Sequence, residues 1–366
     1  MRTEMLHSAE TIPKLVEGPS AWTGRELRTR ESDWVIRLTP THCAELDAAI
    51  RAFQSAGLPL ATIAAEQFLL PTLGPVLRAV LDELLEGRGF VLLRGFEVER
   101  YAREAQAIAF MGLGSHLGVP RSQNAKGHLL GHVKDLGLDV SDPNVRYYQT
   151  HRKLEYHTDS CDIVGLLCLK TARAGGESFI VSSMTLYNEV RRRRPDLVSA
   201  LFRPYPTDRR GEVPEGMQPW FDMPIFHWHA GRLSCIYVRQ YIESAQRNFP
   251  QAARLTPQQV EAMDLLDALA NDPDIHLSMA FQPGDMQFLH NHVILHSRND
   301  FENWPEPERH RLWVRNLWWG ESERHITFAL SPSRSLHRTQ IWFEAKQFWL
   351  SCLTAIEPLS LARIPK

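Results

Sequence analysis

Apolar residues recur at helical spacing from His42 to Ala56 and again from Pro71 to Glu86, predicting two amphipathic helices before Gly87. The run Gly89-Phe90-Val91-Leu92-Leu93-Arg94-Gly95-Phe96 is short, apolar and bounded by glycines, the pattern of a buried strand. Ser178-Phe179-Ile180-Val181 predicts another, and Met184 to Arg193 a helix ending in the cations Arg191 to Arg194, where positive charge meets the helix dipole. Thr256-Pro257-Gln258-Gln259 carries a capping box with proline in the first turn, so a helix is expected to run to Ala270. Beyond it LSMAF, MQFLHN, VILHSR and LWVRNLWW are short apolar runs split by turn formers, which predict antiparallel strands. The whole reads as a mostly β fold, a barrel or jelly roll with helices packed around it.

Residues 1–40 are polar and punctuated by proline, and they are read as an N-terminal extension to a single domain over 41–366. Residues 120–156 mix His128, His132, Tyr147, Tyr148 and His151 with loop formers and are read as a long active-site segment. The aromatic stretch Ile341 to Leu353 suits either core or an interface helix, which leaves room for a homo-oligomer.

The formal charge of −2 and sequence pI near 6.8 give no bulk electrostatic reason to bind nucleic acid or an anionic membrane. The five cysteines, Cys43, Cys161, Cys168, Cys235 and Cys352, are odd in number and scattered, without a C-x-x-C pair, as expected of reduced thiols. With no apolar run of signal-peptide or membrane-span length, the cytoplasm is the expected compartment.

The chemistry-bearing stretch is Glu155-Tyr156-His157-Thr158-Asp159-Ser160. With 16 histidines and 43 acids, chance alone supplies about two His-x-Asp/Glu triplets, so the triplet needs company to mean anything. On a strand, residues two apart share a face, so His157 and Asp159 can both point inward. His290, His292 and His296 are candidates for a third ligand. Two histidines and one carboxylate leave coordination positions open, which suits non-haem Fe(II) oxygenases and, on ligands alone, catalytic zinc. Arg311 and Arg315 are four apart in a tryptophan-rich run, so on a strand they share a buried face and call for anionic partners, such as the carboxylates of 2-oxoglutarate. For Arg298 an ion pair with Asp285, Asp300 or Glu302 is an equal alternative to a functional role.

In their order, GFVLLRGF, YHTD, AGGESFIVSS, QPGDMQF, Asn291 through LHSR, and Arg311 through Arg315 resemble the taurine/α-ketoglutarate dioxygenase (TauD/TfdA-like) family over residues 87–320. That resemblance implies a double-stranded β-helix core and an enzyme using Fe(II), 2-oxoglutarate and O2 to oxidise a C–H bond of a small molecule, releasing succinate and CO2. It assigns the metal to His157, Asp159 and His296, and the distal carboxylate of 2-oxoglutarate to Arg311. Arg315 becomes the neighbouring anion-binding arginine, and Asn291 falls just before the last ligand strand. Ser178 stands where the family carries threonine and keeps the hydroxyl. The carboxylate of Asp159 argues against a halogenase. His128, His132, Tyr148, His151 and Arg239 are candidate substrate contacts, the last sharing a predicted strand face with Tyr237. A hydrolase on the same ligands and a catalytically silent metal-binding or sensing barrel are the alternatives.

Overall fold

The computed structural model describes residues 14–123, 127–139, 145–213, 215–229 and 231–319. Eleven strands make up its two main sheets: β1 (Val35–Arg37), β2 (Phe90–Arg94), β3 (Val119–Pro120), β4 (Gly131–Val133), β5 (Leu154–His157), β6 (Ile163–Lys170), β7 (Ser178–Ser182), β8 (Leu277–Met279), β9 (Met286–His290), β10 (Ile294–Arg298) and β11 (Leu312–Trp319). The larger sheet has the order β1-β2-β9-β6-β11-β3, with β4 also pairing β11; the smaller has the order β8-β7-β10-β5. Neighbours are antiparallel except β1, which runs parallel to β2.

The apolar runs are strands because both of their faces are covered. Phe90, Leu92, Val164, Leu289 and Leu317 of the large sheet meet Ile180, Leu277, Met279 and Ile294 of the small one in a core between the sheets. On the outer side of the large sheet, Val91, Leu93, Leu167, Phe288 and Trp318 pack against helices α1 (Pro40–Ala56), α2 (Leu73–Glu86) and α3 (Arg103–Ser115). Val181 and Leu295 of the small sheet pack outward on α4 (Ser183–Arg193), α5 (Arg239–Asn248) and α6 (Pro257–Ala270). Each large side chain so buried contributes about 1.5–3 kcal/mol, which makes the layered arrangement the rigid frame of the site.

Local signals set the helix ends. The capping box at Thr256 forms, its hydroxyl accepting the Gln259 amide, and α6 ends at Ala270 as expected. The N-terminus of α2 is capped from a distance, since the Glu45 carboxylate of α1 accepts the amides of Thr72 and Leu73, each at 2.8 Å. The arginines at the end of α4 pair with acids: Arg192 and Arg193 with Glu189, Arg194 with Asp196 and Glu261.

Two expectations are corrected. Much of the stretch read as an N-terminal extension docks on the frame: Trp22, Leu27, Trp34 and Val35 are buried with Phe90, and β1 extends the large sheet. Arg239 opens α5 and shares no strand face with Tyr237, whose hydroxyl donates to Asp267. The stretch from Ile341 to Leu353 and Cys352 lie outside the described residues; Cys43, Cys161, Cys168 and Cys235 are free thiols. No helix among the described residues is long and apolar enough to cross a membrane.

Candidate metal centre and co-substrate pocket

His157 ends β5 and sits directly opposite His296 of β10, so the ladder register brings the two imidazoles together with ring centroids 4.2 Å apart. Asp159 follows on the strand exit. One donor atom from each of His157, Asp159 and His296 lies within 4.8 Å of the others, and no other such group of three or more occurs among the described residues. Nδ1 of His157 donates to the Glu155 carbonyl at 2.8 Å, which leaves Nε2 as the free lone pair. Nε2 of His296 lies 3.7 Å from an Asp159 carboxylate oxygen. Burial pushes His296 down to about 3, with His157 adding to the effect, so the ring stays neutral and ready to ligate. For Asp159 burial acts upward, but Arg315, His296 and His157 outweigh it and hold the carboxyl below its ordinary value.

Asn291 fixes the turn carrying Asp159. Its side-chain oxygen accepts the Asp159 amide at 2.7 Å, and its amide nitrogen donates to the carbonyls of Asp159 and Cys161 at 2.5 and 2.9 Å. Thr158 adds a second anchor: its hydroxyl accepts the Tyr237 amide and its own amide donates back to the Tyr237 carbonyl. Arg315 donates to both oxygens of Asp159, at 2.9 and 3.1 Å, and to Gln123, whose amide returns a bond to the Arg315 carbonyl. Gln123 and Thr158 carried no sequence signal beyond their polarity, because their partners are remote in the chain or are main-chain atoms.

Arg311 is 1% exposed, yet no carboxylate pairs with it among the described residues and one of its terminal nitrogens has no hydrogen-bond partner. Its guanidinium stacks 4.0 Å from the Trp313 ring centroid and 5.0 Å from that of Phe301. Burial, reinforced by the nearby Arg298, pushes it down to about 9, the electrostatic mark of a cation lacking its anion. Gly175 and Gly176 make the approach possible. Both have left-handed φ, +71° and +76°, and a Cβ on Gly176 would lie 3.2 Å from Nε of Arg311. Ser178 is buried at the head of β7, with its hydroxyl 3.5 Å from Gln287.

Among the remaining candidates, Tyr148 lies beside the centre, its ring 5.0 Å beneath the Arg315 guanidinium. His128 and His132 are exposed, and His151 is exposed and 3.3 Å from Asp135. Arg239 is committed to Glu243, Asp264 and Asp267. His290 and His292 lie off the centre; His292 meets Asp162 at 2.9 Å.

The family model for the taurine catabolism dioxygenase TauD, TfdA family matches residues 54–318. A taurine hydroxylase-like protein of Stachybotrys chartarum is 33% identical over 304 residues, covering 81% of this chain and 77% of that one. The FR-33289 synthase of Streptomyces rubellomurinus is 30% identical over 337 residues, or 89% of this chain and 96% of its own. In fold the chain is similar to a non-haem iron oxygenase in complex with Fe, succinate and (3S)-hydroxy-L-arginine, with a TM-score of 0.59, 14% identity, and coverage of 81% and 97%. The chain belongs to the TauD/TfdA family. It is a non-haem Fe(II)- and 2-oxoglutarate-dependent dioxygenase acting on a small molecule.

Proposed function

We propose that His157, Asp159 and His296 hold Fe(II), that Arg311 and Ser178 receive the distal carboxylate of 2-oxoglutarate, and that the substrate binds on the Tyr148 and Arg315 side. The convergence of the three donor atoms within 4.8 Å carries this reading. The donor set fits Fe(II): two neutral imidazoles and one ionised carboxylate, with coordination positions left for co-substrate and O2. Bound together, iron and 2-oxoglutarate supply the oxidant, and succinate and CO2 leave as by-products.

The chain's own residues position and insulate. Asn291 and Thr158 hold the Asp159 turn, while the His157-to-Glu155 bond fixes the imidazole tautomer. Arg311 supplies a desolvated cation behind an aromatic wall, suited to a dicarboxylic 2-oxoacid. A metal on an Asp159 oxygen would compete with Arg315 for that carboxylate and leave guanidinium N–H donors for an anionic group, which favours a small polar substrate bearing a carboxylate or comparable anion. Hydroxylation is the simplest outcome, with desaturation or ring closure as variants. We read the two facing sheets as the family's double-stranded β-helix, in one domain that takes in β1 and the segment before it and works in the cytoplasm.

The test is anaerobic addition of Fe(II) and 2-oxoglutarate to metal-free protein, following the weak visible charge-transfer band. The band forms in the wild type and weakens in Asp159→Ala and Arg311→Ala. Tight Zn(II) binding with no band would instead favour a hydrolase or a silent barrel.

A further inference from the structure

Arg298 lies two residues beyond His296 on β10, so both side chains leave the same face of the sheet, and its Cα partner on β7 is Ser178. It is 5% exposed. Nε donates to the Asn299 carbonyl and one terminal nitrogen to the carbonyls of Thr150 and Arg152, which leaves Nη1 buried without a partner. The acids that might have neutralised it are engaged elsewhere or stand off. Asp285 pairs with Arg94 and Glu302 with Arg173, while Asp135 and Asp300 act on Arg298 only at a distance.

Its guanidinium carbon is 4.7 Å from the centroid of the Phe301 ring, the same ring that Arg311 approaches at 5.0 Å. Two buried cations therefore share one aromatic wall, each with an unmet N–H donor, and no carboxylate pairs with either among the described residues. Like charges placed together in a low-dielectric site repel strongly, and an unmade hydrogen bond there is costly. Both costs fall if one carboxylate sits between them, because its two oxygens can accept from both forks.

We propose that Arg298 is a second carboxylate-binding residue of the co-substrate pocket, sharing the distal carboxylate of 2-oxoglutarate with Arg311. The inference rests on the reading of Arg311 given above. It makes the pocket a discriminator: a 2-oxoacid with a charged tail is preferred over one of equal length with an uncharged tail. An arginine that merely held the 150–152 segment would not create such a preference.

The experiment titrates Fe(II)-loaded protein anaerobically with 2-oxoglutarate and with 2-oxopentanoate, following the visible band, in wild type, Arg298→Gln, Arg298→Lys and Arg311→Gln. Arg298→Gln is expected to weaken 2-oxoglutarate about tenfold to a hundredfold, the scale of a lost charged hydrogen bond, and to leave 2-oxopentanoate unchanged. Arg298→Lys, which keeps the charge, is expected to recover part of the loss and serves as the test if the glutamine variant does not fold. Equal weakening of both oxoacids in the Arg298 variants, or no weakening, overturns the proposal. If Arg311→Gln loses the preference while the Arg298 variants keep it, only the pairing fails. If Arg311→Gln also keeps it, the assignment of the pocket fails with it.

Discussion

Two groups of histidine and aspartate flank the turn between β9 and β10, similar in composition and opposite in chemistry. In one, His157 and His296 face each other across a ladder and Asp159 follows on the strand exit, which brings three donor atoms together. In the other, His290 ends β9, His292 lies in the turn, and the Asp162 carboxylate meets His292 at 2.9 Å. The rings of His290 and His292 stand edge to face with centroids 5.7 Å apart, and no third donor converges on them among the described residues. Residue type alone makes neither a metal site. The difference is register: only the first group has its two histidines at directly opposed positions of paired strands, which fixes where those side chains meet.

The sharpest way to break this contrast is to remove one member from each group. Asp159→Ala is expected to weaken Fe(II) binding by more than about 100-fold, beyond what loss of a supporting residue usually costs, whereas His292→Ala leaves the metal titration unchanged. Isothermal titration under argon measures both, and comparable losses would mean that the second group shares the metal. A smaller effect is expected at the support. Asn291→Ala releases the Asp159 turn, lowering metal affinity about 10–100-fold and stability by about 1–3 kcal/mol, read by the same titration and by urea unfolding.

The last test reads the pH dependence that the second group imposes on folding. Burial pushes His290 from its usual 6.5 down to about 3, with His292 adding to the effect. The unfolded chain thus takes up a proton at this residue near pH 6.5 while the folded chain does not, so protons favour unfolding between about pH 6.5 and 3. His290 contributes a loss of at most about 1.4 kcal/mol of stability per pH unit below 6.5. Denaturation series at several pH values should show a shallower acid limb in His290→Leu; an unchanged slope would mean that His290 is already protonated in the folded protein.

The reach of sequence reasoning followed the range of the interactions involved. The capping box at Thr256 and the apolar run of β2 announce themselves because the physics is local, a side chain meeting an amide three residues away or a strand covered on both faces. The candidate set His157, Asp159 and His296 came from ordered motifs, and its convergence within 4.8 Å depends on pairing between remote strands. Trp22 and Trp34 were hidden in a polar stretch because Phe90, the ring they pack on, lies far along the chain. Arg239 followed a run with strand-like alternation, and only the acids of α5 and α6 reveal its helical position. For Arg298, three nearby acids in sequence suggested an ion pair, and only the folded chain shows Asp285 and Glu302 already occupied.

Asn291 joins positions 132 residues apart when it accepts the Asp159 amide. A metal held at the adjoining ligands would act as a cross-link closing that long loop, and the entropy of closure varies only slowly with loop length. Any agent that binds the folded chain alone stabilises it by mass action. If His157, Asp159 and His296 hold Fe(II) as proposed, iron supply and protein lifetime would be coupled: chains starved of metal would be the first to open and to be cleared by proteases.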